Sequence, residues 1–181
     1  MIGRQIIDRA AIIRRAGELI DWRDIEPSRG CLLWAGAAAL ALCEAGERAV
    51  INAGTAMFAA VPESEDDGTA DTHVSYVWDD VLGERLAAAG LAEVHVWAAL
   101  PGRGEIIDLT TRYLPERARE YGLEWRTPVL EYFWGSELPE RWIYHPSEVA
   151  MKWAHEGLEV LVRAGYLNLP DAVQSRRKGT G

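Results

Sequence analysis

Three residues in this 181-residue chain have the types and order needed for nucleophilic catalysis: Cys31, His95 and Asp108. A thiol can attack a carbonyl carbon. An imidazole can take and return its proton, and a carboxylate can fix the imidazole's tautomer and orientation. Cys31 opens the apolar run CLLWAGAAALALCEAG, and His95 lies in AEVHVWAAL. Asp108 follows thirteen residues after His95, in GEIIDLTT.

The elements that must position these residues can be read from pattern. Residues 3–20 read as an amphipathic helix, with Ile6, Ile13 and Ile20 recurring seven apart and Ile2, Ala16 and Leu19 filling the stripe. Pro27 and Ser28 mark a helix entry with Ser28 as a cap. The run from Cys31 to about Ala45 is apolar on nearly every side, so that helix must be surrounded by protein. Gly46 stops it. Strands are expected over 49–61 and 72–78, with an exposed acidic loop over 62–71 between them. A short helix or loop over 80–90 precedes a hairpin of 93–100 and 105–111 joined by PGRG. A short helix over 115–122, a strand over 127–134 and a closing helix over 147–165, capped by Ser147, complete the chain. Strands grouped between helices predict an α+β fold, an antiparallel sheet packed on a buried N-terminal helix.

The hairpin allows a sharper expectation. An even loop at PGRG pairs Leu100 with Glu105, and outward from there sets Asp108 opposite Trp97 and His95 opposite Thr110. His95 and Asp108 are then diagonal neighbours on one face, with Cβ atoms roughly 7–8 Å apart. An odd loop would send them to opposite faces. The buried helix is expected to pack on this sheet and bring Cys31 to His95. At a helix N-terminus the dipole favours a thiolate, and free backbone N–H groups can receive an oxyanion.

With that arrangement the sequence resembles the transglutaminase-like superfamily of papain-like cysteine enzymes. The residues that carry the resemblance are Cys31 in CLLWAGAAALAL, His95 in HVWAAL and Asp108 in GEIIDLTT, with AGERAVINAG resembling the strand after the helix. It covers about residues 25–112. One domain is expected, with that core, a C-terminal elaboration over 113–170 and a loose tail over 171–181. The resemblance implies acyl transfer through a thioester on Cys31, with His95 as general base and acid and Asp108 as orienter. Hydrolysis of a peptide or amide bond is the first expectation. The alternative is an inactive module of the same fold that binds a peptide or partner protein. Trp22, upstream of Cys31, is a candidate oxyanion donor.

Other residues carry weaker readings. Trp34, one turn after Cys31, and Trp97, two after His95, are candidates to line an acyl or substrate pocket, or else pack helix on sheet. Cys43 reads as a core thiol. His73, with His95 and Asp108, could make a two-His-one-carboxylate metal site, but that leaves Cys31 unexplained. The triad reading calls for no cofactor and no metal. His145 and His155 read as surface or packing residues.

Composition narrows the partners. Nineteen basic against 28 acidic residues give a net charge of −9, which argues against nucleic-acid binding. No signal peptide or bilayer-spanning stretch is evident, and two cysteines fit a cytoplasmic location with both thiols free. The expected partner is a peptide or protein substrate or a small acyl donor, with no membrane involved.

Overall fold

A computed structural model describes residues 6–66, 72–81, 85 and 94–169. Helix α1 runs Arg9–Leu19, with the Asp8 carboxylate accepting from Ala11 N at 3.0 Å. Ile12, Ala16 and Leu19 form its buried stripe, a 3.6-residue pattern. Ile6 lies outside the helix and is almost fully exposed, so the sevenfold spacing identified the element but not its inner face.

Helix α2 spans Cys31–Glu44 and is buried along most of its length, as its uniformly apolar surface requires. Its cap is Gly30, not Ser28. Ser28 sits in the preceding 3-10 turn Pro27–Arg29 with its hydroxyl buried and unpartnered. Glycine is needed at 30 because a Cβ there would meet the Trp22 ring at 2.8 Å. The Trp22 ring therefore packs directly on the cap of the Cys31 helix.

Strand β1, Val50–Ala59, is the hub of an antiparallel sheet. It pairs with β2 (His73–Tyr76), β3 (His95–Leu100) and β6 (Ile143–Pro146). Strand β4 (Glu105–Asp108) continues from β3, and β5 (Phe133–Gly135) from β4. Gly54 lies opposite both His95 and Pro146, and Ala56 opposite both Tyr76 and Tyr144. A strand has two edges, so β6 follows one edge of β1 while β2 and β3 lie end to end along the other. Only Thr55 separates their pairings. A Cβ on Gly54 would sit 2.2 Å from the His145 carbonyl oxygen, so β6 can approach only a glycine here.

The β3–β4 hairpin has the expected even register, Leu100 with Glu105 and Ala98 with Ile107. Beyond Asp108 the chain turns into a 3-10 segment at Thr111–Tyr113 and then helix α3, Leu114–Glu120. The strand expected over 127–134 reduces to Phe133–Gly135. Pro128 has no N–H to give a ladder, and Thr127 spends its N–H on the Ala60 carbonyl (3.1 Å) and its hydroxyl on the Ala59 carbonyl (3.0 Å). Helix α4 runs Glu148–Arg163, with Ser147 Oγ accepting from Ala150 N at 3.2 Å, as its sequence predicts. The fold is thus α+β. Residues 114–163 supply α3, β5, β6 and α4 to the same body.

The sheet separates two apolar clusters. On one face Val94, Val96, Ala98 and Leu100 pack with α1, α2 and α4. On the other, Phe58, Phe133 and Trp142 pack with Leu114 and Ala118 of α3.

Candidate active site

Asp108 ends β4 and is 1% exposed. A buried carboxylate is tolerated only where its lone pairs are filled. Here they are. Oδ1 accepts from Thr110 N at 2.9 Å and Thr110 Oγ1 at 2.6 Å, a local turn set by the DLT sequence. Oδ2 accepts from His95 Nε2 at 2.7 Å and from the Tyr144 hydroxyl at 2.8 Å. Burial opposes the charge, but the His95 charge and hydrogen bond, with the Thr110 donors, outweigh it and hold Asp108 below the usual carboxylate range. The group is therefore ionised and can only accept, so His95 Nε2 is the protonated nitrogen.

His95, 2% exposed, opens β3. Its ring lies between aromatic neighbours: the Tyr76 centroid at 4.8 Å, Phe58 edge-on at 5.4 Å and Trp97 stacked at 6.1 Å. Burial pushes its pKa down, but the Asp108 charge and hydrogen bond, followed by Cys31, raise it to about 10. With Nε2 committed to Asp108, Nδ1 has no hydrogen-bond partner. It is the ring nitrogen not committed to Asp108.

Cys31 is the first residue of α2, with Sγ 3.9 Å from the Val94 carbonyl oxygen. The sequence expects the helix to pack on the sheet and bring Cys31 to His95, and the helix packs on the face opposite the imidazole. His95 and Asp108 project with Phe58 and Tyr144, while α2 packs with Val94 and Val96 on the other side. The thiol lies against the Val94 carbonyl, one residue before His95 and β3, where β2 has ended at Tyr76 and the β1 edge passes from one strand to the next. The Thr55 hydroxyl accepts from Trp78 N at 3.0 Å there and carries the chain out of β2.

Trp97 is 1% exposed and packs against Tyr144 at 5.0 Å, so it is core. Trp34 is buried against Trp22 at 5.2 Å, beneath the Arg112 guanidinium at 5.3 Å. Neither lines the cavity beside Cys31. Trp22 presents its Cζ3–Cη2 edge, not its N–H, to Gly30. Cys43 is exposed, not core, because it lies in the last turn of α2. His73 pairs with Ala59 and His95 with Gly54, an odd offset along β1 that puts the two imidazoles on opposite faces. Among the described residues no three His, Cys, Asp or Glu side chains converge as metal ligands. His145 is exposed in β6, and His155 Nδ1 lies 2.7 Å from the Met151 carbonyl oxygen. Among the described residues no helix is long and apolar enough to cross a membrane.

Three residues that sequence reading does not single out belong to the site. Tyr144 holds Asp108 from β6. Tyr76 covers His95 and carries the Arg117 guanidinium 5.7 Å from its ring centroid. Burial, against the Arg117 charge and with help from the Cys31 and Asp108 charges, raises the Tyr76 pKa above the ordinary phenol value. Burial and the adjacent Asp108 do the same for Tyr144. Both phenols therefore stay protonated and act as hydroxyl groups. A cavity of about 300 Å³ opens between the start of α2, the start of β3 and α4, with Cys31 in its wall. No family model matches this chain, and comparison with curated proteins and with solved structures found no match.

Proposed function

We propose that this chain is a cysteine-dependent acyl-transfer enzyme with a transglutaminase-like core, hydrolysing a peptide or amide bond through a thioester on Cys31. The observation that carries the reading is the ring of His95. Its Nε2–H is tied to an ionised, four-donor Asp108, and its Nδ1 is left unpartnered beside Cys31. An imidazole held this way is fixed in one tautomer and stabilised as a cation, the form a thiolate partner needs.

The chemistry follows from those contacts. The Cys31 thiolate attacks the carbonyl carbon, forming an S–C bond while the carbonyl electron pair moves to oxygen. The free N–H groups in the first turn of the fourteen-residue α2 receive that charge. Collapse breaks the C–N bond, and the His95 imidazolium gives its Nδ1 proton to the leaving amine. Water then loses a proton to Nδ1 and attacks the thioester. The C–S bond breaks, the acid departs, and the thiolate–imidazolium pair is restored. Asp108 keeps its charge throughout.

Turnover of amide and thioester substrates by the wild type and Cys31→Ala tests the reading, with intact-mass detection of an acyl adduct. The expected result is an acyl adduct on Cys31 and loss of turnover in Cys31→Ala, at an unchanged urea midpoint. Turnover retained in the variant would overturn it. Absence of any adduct with preserved peptide binding would favour the inactive binding module.

A further inference from the structure

The cavity beside Cys31 has a chemistry of its own. Its walls are Leu32 and Leu33 of α2, Val94 and Val96 at the start of β3, and Trp153 and Leu161 of α4. Trp153 and Leu161 stand eight residues apart on one face of α4, and the residue between them on that face is Gly157. A Cβ at 157 would come within 3.1 Å of Leu32 Cδ2. The missing side chain therefore lets α4 approach α2 while its two large neighbours form the walls.

The charged side chain at the rim, Arg29, is already engaged by Glu26 and Glu120, each at 3.4 Å, and is largely exposed. No carboxylate lines the cavity among the described residues. A charged side chain entering it would lose water and find no free counter-charge. An apolar one would lose only water. The volume, about 300 Å³, is at the small end of ligand sites, enough for one side chain or a short acyl chain rather than a folded segment.

From this we infer that the cavity is the acyl-group pocket of the enzyme and selects substrates whose carbonyl carries a short, uncharged aliphatic or aromatic group. The inference rests on the cysteine chemistry proposed above. It names the side of the scissile bond that Cys31 retains in the thioester. Leu161 is half-buried at the mouth, where a larger side chain shortens the pocket. Trp153 is a wall, and its removal lengthens it.

The test uses p-nitrophenyl acetate, butyrate and hexanoate, with the hemisuccinate as the charged comparator. It reads kcat/KM and the mass adduct on Cys31 in the wild type, Leu161→Trp and Trp153→Ala. Expected is a rise from acetate to butyrate of roughly fourfold per methylene, and discrimination against the hemisuccinate. Leu161→Trp should flatten the series, and Trp153→Ala should shift the preference to hexanoate. Equal rates along the series, a preference for the hemisuccinate, or a series unmoved by both substitutions would overturn the pocket assignment while leaving Cys31 as nucleophile. No adduct on Cys31 with any ester would overturn the nucleophile, and the pocket assignment with it.

Discussion

Replacing Tyr144 with phenylalanine isolates one of the four bonds that keep Asp108 ionised. The ring's neighbours, Phe58 at 5.5 Å, Trp97 at 5.0 Å and Phe133 at 6.3 Å, are all apolar contacts that phenylalanine keeps. What disappears is the 2.8 Å bond from the hydroxyl to Asp108 Oδ2, leaving that oxygen with His95 alone. A hydrogen bond to a charged group contributes about 1.5–3 kcal/mol, so the variant should lose about that much stability at neutral pH. The bond favours the charged form, so its loss also raises the folded-state pKa of Asp108. At 1.36 kcal/mol per unit, the rise is about one to two pH units. Asp108 is depressed when folded, so its contribution is complete above the ordinary carboxylate value near 4 and is lost as pH falls through the folded value. In Tyr144→Phe that loss is complete at a higher pH, and the two stability curves converge as pH falls further, toward the point where the carboxyl is neutral in both. Urea titrations of both proteins from pH 7 to pH 3, with the slope checked for constancy, measure this directly. A difference under about 0.5 kcal/mol at pH 7, well below the range for a charged partner, would refute the argument.

His95 has the opposite sign. Its folded pKa is raised, so its pairing stabilises fully below the ordinary imidazole value near 6.5 and is lost as pH climbs toward about 10. The urea midpoint should fall across that alkaline window in the wild type, and the fall should be smaller in His95→Gln. Gly54→Ala places a Cβ against the backbone oxygen of His145, a clash that no side-chain rotation relieves. Its cost should reach or exceed the upper end of the about 1–3 kcal/mol typical of overpacking. It should also lower turnover by displacing Tyr144, and a stable, fully active Gly54→Ala would contradict the two-sided pairing of β1.

The local signals in the sequence account for what was legible. The four-residue PGRG loop sets the register of β3 on β4, and that register alone makes His95 and Asp108 diagonal neighbours. Ser147 followed by an amphipathic run gives α4 and its cap. An apolar run with no polar face gives α2. The rest depends on contacts distant in sequence. Tyr144 lies in a four-residue, mostly exposed strand ending in Pro146, with no alternation to announce it, and its partner strand is nearly ninety residues away. That Cys31 meets His95 from the opposite face of the sheet follows from β2 and β3 sharing one edge of β1, a consequence of three pairings to one strand. Cys43 looks internal because its neighbours are apolar, yet it occupies the last turn of α2, where the helix emerges from the core.

The central claim is that Cys31, His95 and Asp108 work as one unit. The most direct test is the pH dependence of iodoacetamide labelling at Cys31 and Cys43, resolved by peptide mass spectrometry in the wild type and His95→Gln. The glutamine keeps a donor for Asp108, and exposed Cys43 serves as the internal reference. The account predicts that Cys31 labels at pH values where Cys43 does not, and that this advantage disappears in His95→Gln while Cys43 is unchanged. Cys31 labelling that tracks Cys43, or that is indifferent to His95, would contradict it.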